Sequence, residues 1–279
     1  MRRTVPPQAY FVVSATFHYL GPALAVLLFA RIEPLGVAWL RIAAAGLIFA
    51  IWRRPWRAWR ALDMRTRGLV VAWGAVLALM NSCFYLAIDR IPLGTVAAAE
   101  FAPVIVLAAI AVRSARNVLA VLLAAVGVYL LTDIRLSDDW AGLVFTASNA
   151  ILFAAYVVLG HRVSRAASLR RIDGLALAMG TATVLALPVG AWAAVPAFAD
   201  IGLLAAAVGV GVCSSVIPYV ADQLAMARLQ RSTFALMLAL LPATATVIGA
   251  VVLRQIPRPA EVLAVAIVVA AIGLHREAA

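Results

Sequence analysis

Ten apolar runs, each about twenty residues long, follow one another along the chain with only short polar segments between them. An α-helix rises about 1.5 Å per residue, so about 20 residues cross the hydrocarbon core of a bilayer. Lipid offers the backbone no hydrogen-bond partner, so each run is predicted to be helical. The runs cover 9–30, 34–52, 69–88, 92–113, 117–134, 140–160, 173–194, 201–221, 233–253 and 259–275. We therefore predict an all-α polytopic membrane protein with ten transmembrane helices.

Composition agrees with this class and argues against two others. The chain is 66% apolar and 13% charged, whereas a soluble domain is roughly 45–50% apolar and about 25% charged. A net charge of +11 is typical of nucleic-acid binders, but these present one contiguous basic face. Here the arginines lie in loops between apolar runs, so we expect contact with the lipid bilayer and no nucleic-acid partner. Cys83 and Cys213 lack the spacing of a metal site, and no metal or cofactor is expected.

The arginines also predict the orientation of the chain. With both termini on the cytoplasmic side, 17 arginines lie inside and 5 outside, and Arg41 falls within a span. Such an excess on one side indicates the cytoplasm. The inner loop 53–67 combines arginines with tryptophans, which favours a surface helix on the anionic leaflet.

An internal repeat is predicted at an offset of 138 residues. LAIDRIPLGTVA (86–97) then aligns with LAMARLQRSTFA (224–235), with five identical positions, and one residue of slip aligns Pro103 with Pro242. Each half holds five spans, and an odd number forces the second half to enter the membrane upside down. We predict two inverted five-helix repeats, 1–137 and 138–279, as in many secondary transporters.

Three segments carry a resemblance to a known family. They are MNSCFYLAIDRIPLGTVAAAEFAPV (80–104), FAAYVVLGHRV (153–163) and SSVIPYVADQLAMARLQRSTFALMLALLPATATVIG (214–249). They resemble the bacterial threonine/homoserine exporters, in the EamA branch of the drug/metabolite transporter superfamily. The resemblance implies two inverted five-helix halves, a central cavity, and proton-coupled export of amino-acid-like metabolites across the inner membrane. This chain has Leu241 before the span-nine proline and Leu253-Arg254 near the end of that span, where such exporters carry glutamates.

Two charged residues lie well inside predicted spans, Glu100 and Arg41. Each costs roughly 3 kcal/mol to insert, so each needs a partner or a role. Both lie about 12 Å from the same membrane surface, counted along their helices. One interpretation is a buried Arg41–Glu100 ion pair. The other is that Glu100 faces the cavity, where it binds a substrate ammonium group or exchanges a proton.

Further candidates for the cavity are polar residues within the spans. Side chains four or seven residues apart share a helix face, and such residues also serve as contacts between helices. The candidates are Asn81, Tyr85, Asn149, Tyr156, Ser215, Tyr219 and His18. Prolines free backbone carbonyls that can line a site, or simply kink a helix; those within spans are Pro103, Pro218 and Pro242.

Other functions find less support in the sequence. An intramembrane enzyme needs paired catalytic groups, whereas this chain has three histidines, no lysine and one acid at mid-membrane depth. A scaffold or sensor would not need an inverted repeat, and without a P-loop the chain does not use ATP directly. We predict a transporter of a small-molecule substrate, not an enzyme, and the resemblance implies protons as its coupling partner. Cationic drugs or other metabolites are the alternative substrates.

Overall fold

All regular structure in the described part of the chain is helical. The computed structural model describes residues 7–111, 115–135, 139–164, 169, 171–226 and 241–274. The helices are α1 (Pro7–Leu28), α2 (Pro34–Arg53), α3 (Trp56–Ala61), α4 (Met64–Ile88), α5 (Leu93–Ala111), α6 (Ala115–Arg135), α7 (Trp140–Ser164), α8 (Arg171–Ala193), α9 (Val195–Phe198), α10 (Ile201–Gly211), a π-helical segment (Val212–Val216), α11 (Ile217–Met226), α12 (Leu241–Leu253) and α13 (Pro259–Leu274). The described part of each predicted apolar run lies mainly in helix. Outside the described residues lie 112–113 of the fourth run, 233–240 of the ninth, 275 of the tenth and 227–235 of the repeat segment.

Among the described residues, six helical stretches are long and apolar enough to cross a membrane. They are Ala9–Leu28, Pro34–Arg53, Met64–Ile88, Trp140–Val163, Ile172–Ala193 and Ile201–Ala221, and shorter apolar helices cover Ala115–Gly127, Leu241–Leu253 and Pro259–Ala271. This finding confirms the all-helical membrane class that the apolar runs predicted. The total of ten spans and the inversion of the halves remain predictions.

Small residues allow several helices to approach closely. A Cβ at Gly74 of α4 would lie 2.5 Å from Thr181 Cβ of α8, and one at Gly36 of α2 would lie 2.5 Å from the carbonyl oxygen of Ala193. Helices in lipid gain little from hydrophobic burial against each other, so close van der Waals packing at such residues holds them together. The main pairings are α2 with α8, α4 with α7 and α8, α6 with α13, α1 with α11 and α12, and α5 with α7 and α12.

Polar side chains cap helix ends at the membrane surfaces. The carboxylate of Asp200 accepts hydrogen bonds from the N–H groups of Gly202 and Leu203, at 2.9 and 3.1 Å, which satisfies free donors in the first turn of α10. In a longer-range contact, Gln255 Oε1 accepts from the N–H of Leu93 at 3.1 Å. Gln255, the second residue after α12, thus satisfies a free donor in the first turn of α5.

Candidate central polar site

A π-helical turn followed by a proline shapes the centre of the α10–α11 span. Pro218 has no N–H, so the carbonyl of Ser214, four residues earlier, loses its usual helical donor. The π segment Val212–Val216 also widens the backbone here, and the N–H of Ile217 reaches back to the carbonyl of Val212. Such π turns are frequent at functional sites. The sequence therefore leaves a backbone acceptor available inside the membrane span.

Arg41 of α2 uses that acceptor. Its Nη2 donates to the carbonyl oxygen of Ser214 at 3.2 Å, and its Nε donates to Ser215 Oγ at 3.0 Å. The guanidinium carbon lies 5.5 Å from the ring centroid of Tyr85, a cation–π contact from α4. Arg41 is only 7% exposed, so the buried charge is stabilised by hydrogen bonds and an aromatic face.

Glu100 of α5 has a different partner. It is 5% exposed, and its Oε1 accepts a hydrogen bond from Asn149 Nδ2 of α7 at 3.3 Å. The three salt bridges between described residues join Arg31 to Asp200, Arg53 to Asp173 and Arg90 to Asp139. The direct Arg41–Glu100 ion pair, one of the two interpretations of the sequence, is therefore not formed. Each of the two charges is held on its own partners.

Three buried polar atoms around these charges have no hydrogen-bond partner in the described part of the chain. They are the hydroxyls of Tyr19 and Tyr85 and the Oδ1 of Asn149. Buried polar atoms in native proteins are nearly always satisfied, so these atoms are candidates for contact with water or a bound polar ligand. Asn149 already bonds Glu100, and Tyr85 already contacts Arg41. Two of the three unsatisfied atoms thus lie on residues that contact the two charges.

The remaining predicted cavity residues differ in their contacts. Asn81 donates to the carbonyl of Leu77 one turn earlier, at 2.8 Å, which accounts for that donor within α4. Tyr156 packs between the rings of Trp73 and Phe153, at 5.4 and 6.3 Å. Tyr219 is partly buried against the core between α2, α4 and α8, and His18, half-buried, makes an edge contact with Tyr19 at 5.2 Å.

The predicted prolines lie within or at the start of helices. Pro103 is inside α5, where it leaves the carbonyl of Ala99 without its usual helical donor. Pro242 is buried in the first turn of α12, and the carbonyl four residues before it lies outside the described residues. Pro218 is thus the proline whose freed carbonyl has a side-chain donor in the structure.

Two residues of α1 belong to this site and were not among the predicted candidates. Ser14 Oγ donates to the carbonyl of Pro218 at 3.3 Å. A Cβ at Gly21 would lie 2.7 Å from Ser214 Cα, so α1 touches the π segment directly. The sequence carried one signal for this region, since a proline four residues after Ser214 predicts a freed carbonyl there. The contacts of Ser14 and Gly21 leave no such local signal.

Comparison with known proteins shows similarity to exporters. The chain is 28% identical over 254 residues to the threonine/homoserine exporter RhtA of Escherichia coli (strain K12), covering 90% of this chain and 84% of that protein. It is 29% identical over 256 residues to the protein of the same name from Salmonella typhimurium (strain LT2), with the same coverage. No protein-family model matches the chain. Similarity across nearly the whole length, together with the apolar helices, makes the chain a membrane transport protein and not an enzyme.

Proposed function

We propose that this protein exports small amino-acid-like metabolites, of the threonine/homoserine type, by alternating access. The observation that carries the proposal is a buried guanidinium and a buried carboxylate held on separate partners. A zwitterionic amino acid presents the complementary pair of charges. Two of the five N–H donors of Arg41 serve Ser214 and Ser215, so the guanidinium retains donors for a substrate carboxylate. Glu100 would then bind the ammonium group of the substrate. The hydroxyls of Tyr19 and Tyr85 would bind the hydroxyl of the substrate side chain.

The packing of the helices supports two inverted halves, 1–137 and 138–279, of the EamA type with ten spans in all. A pseudo-twofold axis between the halves equates α1 with α7, α2 with α8, α4 with the α10–α11 span, α5 with α12, and α6 with α13. The contact between α5 and α7 then corresponds to the contact between α12 and α1. In the same way, the contact between α4 and α8 corresponds to the contact between α10 and α2. The pairs α2–α8 and α6–α13 pack across the axis. Transporters of this construction expose a central site alternately to either side.

We further propose that protons drive export and that the protein lies in the bacterial inner membrane with both termini in the cytoplasm. Glu100 is the acid at mid-membrane depth in the sequence, so it is the group that would exchange a proton between the two faces. The distribution of 17 arginines inside and 5 outside supports the orientation,.

Efflux from loaded vesicles tests the proposal. Proteoliposomes containing the purified protein are loaded with labelled threonine, homoserine or other amino acids, and efflux is measured with and without an imposed proton gradient. We expect threonine or homoserine efflux that depends on the gradient, and at least about tenfold slower efflux for Arg41→Gln, about 1.4 kcal/mol of lost binding. Equal rates without the gradient would overturn proton coupling. Absence of efflux for every amino acid would overturn the substrate class.

A cationic substrate is the second candidate, and a specific feature favours it. Aromatic rings extend from the neighbour of Glu100 through the bundle. Phe101 contacts Phe153 at 5.6 Å, Phe153 stacks on Tyr156 at 6.3 Å, and Tyr156 meets Trp73 at 5.4 Å. A carboxylate beside aromatic faces suits an organic cation. Arg41→Gln separates the candidates, because it should slow amino-acid efflux and spare the efflux of a quaternary ammonium dye.

A further inference from the structure

An apolar groove lies on the outer surface of the bundle, where α3 covers the packed helices α2, α4 and α8. Its volume is about 430 Å³, within the range of roughly 300–1,000 Å³ typical of small-molecule sites. The walls are apolar and include Ala50, Leu177, Gly180 and Val184. Val184 is 67% exposed, so the groove opens towards the side of the bundle that faces lipid.

The helix α3 places its aromatic residues on the groove. Trp56 and Trp59 both line it, and their spacing of three residues puts them on one face of the helix. Tryptophan prefers the boundary between lipid tails and headgroups. Since α3 connects the ends of α2 and α4, it lies at a membrane surface. The groove therefore begins at the level of the headgroups and runs into the apolar region.

Arginines lie on α3, beside the two tryptophans that line the groove, and in the segments that flank this helix. The loop 53–67 holds six arginines and one acid, Asp63. Arg53 is bound to Asp173 at 2.8 Å, and Arg67 lies over the ring of Trp59 at 5.5 Å. Arg54, Arg57 and Arg60 are exposed, and none of them takes part in a salt bridge between described residues. This end of the groove is thus positively charged.

We propose that the groove binds one anionic phospholipid, with an acyl chain against Trp56, Trp59 and Gly180 and the phosphate at Arg54, Arg57 and Arg60. The combination of an apolar channel open to lipid and a cationic rim at headgroup level fits this ligand. A soluble anion would use the rim alone, and a neutral lipid the groove alone. The site is separate from the central Arg41–Glu100 region, and the inference does not depend on the transported substrate.

Gly180 offers a way to fill the groove without disturbing the fold. A Cβ at this position meets no atom within 4 Å, so Gly180→Leu places its side chain in the groove. Gly209 of α10 is equally open and does not line the groove. Gly209→Leu is therefore the matched control.

The test is native mass spectrometry of the purified full chain with equal amounts of phosphatidylglycerol and phosphatidylcholine that carry the same acyl chains. We expect phosphatidylglycerol to be retained at least about tenfold over phosphatidylcholine, since only the anionic headgroup is attracted by the three arginines. The triple variant R54Q/R57Q/R60Q should retain both lipids equally. Gly180→Leu should lose most of the retained lipid, whereas Gly209→Leu and R254Q/R258Q should behave as the wild type.

Several results would overturn the proposal. Equal retention of the two lipids by the wild type would show that the arginines do not select the anionic headgroup. Equal retention of phosphatidylglycerol by Gly180→Leu and Gly209→Leu would remove the role of the groove, as would displacement of the lipid by glycerol phosphate at the same concentration. Should Gly180→Leu fail to fold, W56A/W59A removes two groove residues from the surface helix, and unchanged retention by that variant would equally contradict the proposal.

Discussion

The carbonyl oxygen of Ser214 accepts a hydrogen bond from Arg41 Nη2, at 3.2 Å, across 173 residues of sequence. The acceptor exists because Pro218 supplies no N–H four residues later. The interrupted hydrogen bonding of the α10–α11 span therefore provides an acceptor that stabilises the buried charge of Arg41 on α2. The serine hydroxyl of Ser215 extends the same arrangement at 3.0 Å.

Replacement of Pro218 should impair transport by way of Arg41. In Pro218→Ala, the new N–H competes for the Ser214 carbonyl, and the regular helix should become more stable while Arg41 loses an acceptor. The gained helical bond and the weakened bond to Arg41 oppose each other, so we expect a thermal unfolding midpoint close to that of the wild type, with efflux reduced about tenfold or more. Pro188→Ala is the control, because Pro188 is exposed on α8, and it should leave efflux unchanged. Full activity of Pro218→Ala would show that the freed carbonyl is not needed.

Loss of the charge on Glu100 should abolish efflux and leave the protein folded. A glutamine retains an Oε1 that accepts from Asn149 Nδ2, so Glu100→Gln keeps the bond observed at 3.3 Å. Arg41 does not depend on Glu100 for its hydrogen bonds, so no buried charge is stranded. Efflux and the yield of folded protein are measured together, with the exposed Glu33→Gln as control. A severe drop in folded protein would assign Glu100 a structural role instead.

Contact between α1 and the π segment should be intolerant of a single methyl group. In Gly21→Ala the new Cβ would lie 2.7 Å from Ser214 Cα and equally close to its backbone nitrogen. Backbone atoms cannot move aside cheaply, so we expect a destabilisation of about 1–3 kcal/mol, measured by chemical unfolding in detergent. Gly209→Ala, at an open helical position, should be neutral or stabilising by up to about 1 kcal/mol. A wild-type stability for Gly21→Ala would mean that the two helices separate readily here.

Acid should weaken the start of α10. The N–H of Leu203, the guanidinium of Arg31 and the N–H of Gly202 hold the pKa of the Asp200 carboxyl below its ordinary value. Because the folded-state pKa is the lower one, the ionised group stabilises the fold above the ordinary pKa of about 3.9, and this contribution is lost as the pH falls through the folded-state value. The difference in unfolding midpoint between the wild type and Asp200→Asn should therefore be largest near neutral pH and shrink towards pH 3.

The control for this pH profile is Asp89→Asn. Asp89 is exposed at the C-terminal end of α4, where the helix dipole disfavours a negative charge. Removal of that charge should not destabilise the protein at neutral pH. A midpoint difference for Asp200→Asn that stays constant between pH 7 and pH 3 would contradict the role of its ionised form.

The helices were predictable because lipid leaves the backbone little choice. Runs such as 34–52 and 140–160 needed only length and polarity to be identified, and they correspond to Pro34–Arg53 and Trp140–Ser164. The π segment was not predictable, since Val212–Val216 has no composition that distinguishes it from an ordinary apolar helix. The segment packs against α1 and α2, and contacts with distant helices leave no local pattern in the sequence.

For the two buried charges, the sequence predicted the residues but not their hydrogen-bond partners. Depth and opposite sign made Arg41 and Glu100 natural partners for each other, yet each finds its hydrogen bonds elsewhere. The sequence shows how far a residue lies along its own helix. It does not show how that helix is rotated relative to its neighbours. Glu100 and Asn149 were both identified as candidates, but their contact depends on the packing of α5 against α7.

The bond from the Leu93 N–H to Gln255 has a consequence for how the protein is made. The two residues are separated by 162 positions, and a ribosome adds roughly 5–20 residues per second. The nascent α5 therefore spends on the order of ten seconds with its first turn incomplete, while more than half of the polypeptide is still to be synthesised. The first turn of α5 can therefore gain this bond only after residue 255 has been synthesised.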